Sequence, residues 1–344
     1  MSIAAQLLVA SGVFTLAVMA VGVCAAAIER RRFPPPGQRV RINDHSLHVR
    51  VIGRGSPAVI FESGLPGTVL SWSAVQQRLA TCTATLSYDR AGLGWSEPGP
   101  EPRTASRIVE ELHRLLQTLQ LPPPYVLVGH SYGGLTVRLY AARYPEEVAG
   151  LVLLDPTMPE EWYPPAEPAQ RLLAAGARVC RRGALLCRLG LARWIAWLFR
   201  MGAVRAAQKT LTVASRGFLA DALRVVGPVF LLPPEERAAI HWFWQQARFY
   251  RTLASQIETL PESARQVLEA EQKLTSHPPL LILTTPTTPA PRRQAQQRLA
   301  DCWPEARLHE VPAGHWIQLE NPEAVVEALT GMLGGNAAAG SHTG

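Results

Sequence analysis

Lysine is almost missing from this chain. It occurs only at Lys209 and Lys273, so nearly all the positive side of the formal net charge of +7 is arginine. A basic balance admits nucleic acid or an anionic membrane surface as partner. No nucleic-acid-binding motif accompanies the arginines, and they are dispersed, which argues for the membrane; a GC-rich genome also produces such a bias. Cysteine is sparse: Cys24, Cys82, Cys180, Cys187 and Cys302. An odd number without C-x-x-C spacing argues against a disulfide framework and against a metal site. The five read as free thiols behaving as small apolar side chains, with Cys180 and Cys187 the one pair that could oxidise in an exported protein. Aspartate is scarce too, at Asp44, Asp89, Asp155, Asp221 and Asp301. That shortens any search for a functional carboxylate.

Charge is absent altogether from Ile3 to Ile28. At 1.5 Å per helical residue this run can cross a hydrocarbon core of about 30 Å. Glu29-Arg30-Arg31-Arg32 and then Pro34-Pro35-Pro36-Gly37 follow, a helix stop and a spacer. Residues 1–37 therefore read as a single-pass membrane anchor with its spacer. The competing reading is a cleaved signal peptide, since Ala25-Ala26-Ala27 resembles a cleavage site. Against it, no lysine or arginine precedes the run, and the run is long for such a segment. The arginines after the helix place the body on the cytoplasmic face by the positive-inside rule.

Beyond Gly37 the hydrophobic period alternates. Short β-like runs lie at Arg39–Ile42, Leu47–Ile52, Ala58–Glu62 and Ala84–Tyr88. Helical periodicity follows over Ala105–Leu119, with Ile108, Leu112, Leu115, Leu116 and Leu119 on one face. A strand at Val126–Val128, a helix from Ser131 to about Arg143 and a strand at Leu151–Leu154 come next. After a long interval come a strand at Leu280–Thr284, a helix through Gln294–Leu299, a strand at Arg307–Val311 and a last helix over Pro322–Leu333. The alternation specifies an α/β fold, a mostly parallel sheet with helices on both faces, its opening strands paired as antiparallel hairpins. The core is assigned to 38–155 and 278–333, an insertion to 156–277, and a disordered tail of small and polar residues to 334–344.

One corner of this pattern carries chemistry. Gly129-His130-Ser131-Tyr132-Gly133 is G-x-S-x-G, set where a strand ends and a helix begins. Glycines clear the space for a tight strand-to-helix turn. The turn lifts the serine hydroxyl above the C-terminal edge of the sheet, at a helix N-terminus that favours negative charge. The bland reading is a glycine-rich turn with a capping serine.

With this corner the chain resembles the α/β-hydrolase family, and three other stretches agree. Glu62-Ser63-Gly64-Leu65-Pro66-Gly67 follows the third strand, where many members carry an oxyanion loop. Asp89-Arg90-Ala91-Gly92-Leu93-Gly94-Trp95-Ser96 is similar to the family's D-x-x-G-x-G-x-S turn. Gly314-His315-Trp316 follows the last strand, where the family keeps its catalytic histidine. The resemblance covers 38–333 apart from the insertion, and with the leading membrane helix the whole set resembles a subgroup of bacterial membrane-associated hydrolases. It implies an α/β-hydrolase fold with a helical cap over 156–277.

Serine alone is a weak nucleophile and needs a base within hydrogen-bond reach. His315 fits, last in the order Ser, Asp, His that this fold uses. The acid departs from the family pattern. After Leu280–Leu283 comes Thr284-Thr285-Pro286-Thr287-Thr288-Pro289, with no carboxylate. Asp155 ends the strand after the nucleophile helix, at the same sheet edge as Ser131, and is the favoured acid. Asp301, beyond a helix, is the rival; Asp89 reads as a partner of Arg90 or a backbone cap. The oxyanion donors implied are the backbone N–H groups of Tyr132 and Leu65. A carboxylate at Glu62 would oppose a developing oxyanion, so Glu62 is expected to face away, towards an arginine.

The insertion is rich in aromatics and arginines, including Trp162, Trp194, Trp242, Phe243 and Phe249. Its stretch Leu185–Met201 reads either as an interfacial helix on anionic lipid or as a lid helix with arginines reaching outward. An apolar lid above Ser131 suits a hydrophobic acyl or aromatic substrate. The reading is a membrane-anchored serine hydrolase of carboxylic esters, with a hydrophobic ester and the lipid bilayer as partners and no cofactor, metal or nucleic acid. Amidase, thioesterase, lipase or acyltransferase activity would use the same machinery. A non-catalytic binding module of the same fold is the alternative from a different class. Haloalkane dehalogenase chemistry is disfavoured, because its nucleophile would be an aspartate.

Overall fold

The computed structural model describes residues 2–194, 228–274 and 276–340. Eight strands form one sheet in the order β1-β2-β4-β3-β5-β6-β7-β8. They are β1 (Gln38–Ile42), β2 (His45–Ile52), β3 (Ala58–Glu62), β4 (Thr85–Tyr88), β5 (Tyr125–His130), β6 (Val148–Leu154), β7 (Leu280–Thr284) and β8 (Arg307–Glu310). β1 pairs with β2 and β2 with β4 in antiparallel fashion; every pairing from β4 through β3, β5, β6 and β7 to β8 is parallel. The expected hairpin opening and parallel centre are both present. Parallel strands covered on both faces must be apolar on both, and β3, β5 and β7 are buried along their whole length.

Alternate residues of each strand face opposite layers. Ile60, Leu127, Leu151, Leu153 and Ile282 pack with α3 (Ala105–Thr118) and α4 (Gly133–Arg143). Val59, Phe61, Val128, Val152 and Leu283 pack on the other side with α2 (Ser73–Leu79) and the last helix. Of the residues predicted for the buried face, Ile108, Leu112, Leu115 and Leu116 are fully buried, while Leu119, at the C-terminal cap of α3, is half-buried. Thr104 caps that helix, accepting a hydrogen bond from the Arg107 N–H.

The insertion is helical where described: α5 (Glu167–Arg188), α6 (Pro234–Phe243), α7 (Ala247–Glu258) and α8 (Leu260–Glu271). The expected helix over Leu185–Met201 lies partly outside the described residues. α8 differs from a lid. Its Leu260, Ala264 and Val267 lie on one helical stripe and are buried, with Leu260 and Val267 in the main sheet core. Glu271 pairs with the buried Arg138 of α4, at 2.6 Å to Nε and 2.7 Å to Nη2. The layer over the sheet therefore resumes near Leu260, before the expected boundary at residue 277.

β7 and β8 are followed by α9 (Ala290–Cys302), α10 (Ile317–Glu320) and α11 (Pro322–Gly340). α11 continues to Gly340, into the stretch expected to be disordered.

α1 (Ile3–Arg32) is a continuous helix of 30 residues. Among the described residues no helix is long and apolar enough to cross a membrane. The expected span over Ile3–Ile28 falls partly on side chains outside that description. The spacer after α1 is fastened to the body: the Phe33 carbonyl accepts the Trp95 indole N–H at 2.9 Å, and the Phe33 ring lies 5.8 Å from that of Trp242.

Candidate active site

Ser131 follows β5 directly and has φ of +52°. A left-handed serine is strained, and the surroundings hold it there. Its N–H donates to Leu154 O at 3.0 Å, and its carbonyl accepts from the Gly134 and Thr157 N–H groups. The flanking glycines are required by close approach. A Cβ on Gly133 would sit 2.5 Å from Glu62 O, and one on Gly129 would sit 2.6 Å from a Val137 methyl. α4 can thus begin against the end of β3, with its free N–H groups beside the serine.

Three residues far apart in sequence meet above this sheet edge. His315 Nε2 lies 3.1 Å from Ser131 Oγ, and His315 Nδ1 lies 2.6 Å from Asp155 Oδ2. A carboxylate can only accept, so Nδ1 carries the proton and Nε2 accepts from the serine hydroxyl. Asp155 directly follows β6, with φ of +37°, and its N–H donates to Leu283 O at 2.8 Å. Its second oxygen, Oδ1, accepts from Thr288 Oγ1 at 2.9 Å and Gln296 Nε2 at 3.1 Å. Burial opposes ionisation of Asp155, but the His315 hydrogen bond and charge, with Arg292 and Thr288, outweigh it and hold the carboxyl down at about 2. A charged Asp155 orients the imidazole and stabilises the imidazolium.

The loop after β3 lies against the serine: a Cβ on Gly64 would meet Ser131 Cβ at 3.0 Å and His130 Nδ1 at 2.7 Å. Among the described residues, the Leu65 and Tyr132 N–H groups donate to no backbone carbonyl. Glu62 is buried and faces away from this point, bonded to the Tyr88 hydroxyl and 3.4 Å from Arg90 Nη1. Burial raises the Glu62 carboxyl, against the opposing pull of Arg90 and Tyr88. The expected arginine partner is therefore Arg90. Of the two roles expected for Asp89, partner of Arg90 or backbone cap, the second is the one present. Asp89 caps backbone, accepting from the Val69 and Trp95 N–H groups, and bonds His48 Nδ1 at 2.8 Å.

Asp301 is not part of this constellation. It is exposed on α9, where Gln297 bonds it at 2.8 Å. His130 is buried, its Nε2 donating to the His315 carbonyl at 2.9 Å. Burial and the neighbouring His315 hold its imidazole down at about 3, so it stays neutral and supports the histidine loop. Thr157, Thr288 and Gln296 were not picked out from the sequence. Thr288 stands in the very threonine run that lacks the carboxylate of the family pattern, and that run was the available signal. Among the described residues no cluster of three His, Cys, Asp or Glu side chains could hold a metal. Between the loop after β3, Trp316 and the cap lies a cavity of about 30 Å³ lined mainly by apolar groups, among them Pro66, Phe243, Trp244 and Phe249. That volume holds a water or two; Ser131, Asp155 and His315 are not among its lining residues, and it adjoins them only through Pro66 and Trp316.

A model described as the alpha/beta hydrolase family matches residues 59–328. An uncharacterised Bacillus subtilis protein, YqjL, is 33% identical over 114 residues, 33% of this chain and 44% of YqjL. A (lyso)-N-acylphosphatidylethanolamine lipase of Bos taurus is 29% identical over 123 residues, 34% of each chain. The matched stretches thus span less than half the length of these relatives. The structure of a haloalkane dehalogenase from Bradyrhizobium elkani superposes with a TM-score of 0.65 at 18% identity, covering 88% of this chain and 98% of the other. At that identity the likeness is one of fold.

Proposed function

Because the chain belongs to the alpha/beta hydrolase family, we propose that it is a serine hydrolase cleaving carboxylic esters of hydrophobic acyl or aromatic substrates. The observation that carries this reading is His315, hydrogen-bonded at once to Asp155 and to Ser131. Ser131 Oγ attacks the ester carbonyl while its proton passes to His315 Nε2. The Tyr132 and Leu65 N–H groups receive the oxyanion. His315 then protonates the leaving alkoxide, leaving an acyl-enzyme, and water activated by the same imidazole releases the acid. A serine at the elbow, not an aspartate, separates this chemistry from that of the structurally similar dehalogenase. Pro66 and Trp316, the neighbours of Leu65 and His315, line the apolar cavity below the cap, which favours a hydrophobic substrate.

The protein is further proposed to be a single-pass membrane protein with its hydrolase body on the cytoplasmic face. The uncharged run Ile3–Ile28 and the Arg30-Arg31-Arg32 cluster support this. The first test is fluorophosphonate labelling of membranes expressing the parent or Ser131→Ala. Labelling of the parent alone supports the hydrolase. No labelling of folded parent refutes it. Release of the labelled protein by alkaline carbonate would refute the span.

A further inference from the structure

The acyl-transfer reading above assigns the oxyanion to the Leu65 and Tyr132 N–H groups, and one buried side chain touches both residues' surroundings from behind. Arg90 is 2% exposed. Its Nη2 donates to the Gly64 carbonyl at 2.5 Å. Its guanidinium carbon stands 5.1 Å from the centre of the Tyr132 ring. Resting on that reading, we propose that Arg90 is the positioning residue of the oxyanion site, fixing and polarising the peptide that supplies the Leu65 N–H.

The Gly64 carbonyl and the Leu65 N–H belong to one planar unit, and in the trans form they point in opposite directions. Whatever holds the oxygen therefore aims the N–H. Gly64 lacks a side chain and its backbone lies against Ser131, so the loop has little steric means of fixing that plane by itself. Two donors hold the oxygen instead: Arg90 Nη2 and the Gly67 N–H at 2.9 Å. A cation on the carbonyl oxygen also draws electron density through the amide and strengthens the N–H as a donor. Such cooperativity gains most where water is excluded.

The same geometry accounts for Glu62, the feature that sat oddly beside an oxyanion. An unpaired guanidinium at this depth would be costly. Glu62, with Tyr88 on its other oxygen, sits beside Arg90 Nη1 and offsets its charge from the side away from Ser131. The carboxylate thus serves the arginine, and the arginine serves the loop. Asp89 is left free to cap the Val69 and Trp95 N–H groups.

The test compares the parent, Arg90→Lys and the double variant Arg90→Gln/Glu62→Gln, which removes both charges together. One portion of each is labelled with a fluorophosphonate to check the nucleophile, and a separate unlabelled portion is assayed on p-nitrophenyl butyrate, with a butylboronic acid as tetrahedral mimic. Expected for the double variant is a fall in kcat of about 10- to 100-fold and a matching loss of boronate affinity. KM should stay within about twofold and Tm close to the parent, which a merely structural role would not produce. Parent-like kcat and boronate affinity in a folded double variant would overturn the proposal. So would a loss carried wholly by KM. Should the double variant fail to fold, Arg90→Lys decides. It keeps a cation beside Glu62 but lacks the fork that spans Glu62 and Gly64, so unchanged kcat there overturns the proposal as well. A parent that is never phosphonylated refutes the hydrolase itself and this inference with it; a labelled parent with indifferent variants refutes this inference alone.

Discussion

Replacing Asp155 by asparagine exchanges one carboxylate oxygen for an NH2 and should remove nearly all turnover. Asp155 Oδ1 accepts two hydrogen bonds, from Thr288 Oγ1 and Gln296 Nε2. An asparagine there will keep its carbonyl oxygen towards those donors, because the opposite flip sets an NH2 against both. Its NH2 then faces His315 Nδ1 across the 2.6 Å contact. Nδ1 is forced to accept, the ring proton moves to Nε2, and Nε2 can no longer take the Ser131 proton. The wrong tautomer costs on the order of 10⁴ in kcat in a Ser-His-Asp triad, or about 5 kcal/mol of barrier. The assay is steady-state hydrolysis of p-nitrophenyl butyrate, with phosphonylation rate as a second reading and Tm as a fold check. A folded Asp155→Asn protein within tenfold of the parent would refute the reasoning and reopen the search for the acid.

Stability should carry the same residue's signature. With Asp155 held at about 2 against an ordinary value of 3.8, its pairing adds about 2 kcal/mol above pH ~4, lost as pH falls through ~2. The acid limb of Tm against pH should therefore be shallower in Asp155→Asn than in the parent. Thr288→Val removes one charge-assisted bond to Asp155 and should lower unfolding free energy by about 1.5–3 kcal/mol in urea titrations. Its kcat should fall about tenfold if some 1.4 kcal/mol of orientation is lost. Glu271→Gln strands the buried Arg138 guanidinium, and urea unfolding should show a loss of about 3–5 kcal/mol.

Local pattern and site geometry were not equally legible. The elbow could be read because strand, serine and helix are contiguous, and Asp155 because only five aspartates exist and one ends a central strand. The sheet order beyond the hairpin was recoverable in class, since alternation of strands and helices implies parallel pairing. What escaped were contacts between distant segments. Nothing local says that Thr288 and Gln296 reach Asp155 over separations of 133 and 141 residues. Nothing in Asp89-Arg90 reveals that the arginine turns to Glu62 while the aspartate turns to His48 and the backbone. α8 was assigned to the cap because it lies inside the long insertion. Its packing on α3 and α4 is a tertiary choice that its apolar stripe permits without specifying the partner.

His315 stands apart from the other two members in one respect. Ser131 and Asp155 leave strands buried in the middle of the sheet, whereas His315 follows β8, an edge strand paired at four positions and largely exposed. Opening of β8 uncovers little apolar surface beyond Val311, Trp316 and Ile317, the buried anchors of the loop that carries His315, so it requires less than opening of the central strands and lies nearer the low-energy end of the fluctuations a folded chain samples. The imidazole can leave its place while the core stays intact. Heat or mild denaturant should then silence the enzyme before circular dichroism records unfolding, and whatever binds along that edge would gain a grip on turnover without touching the serine.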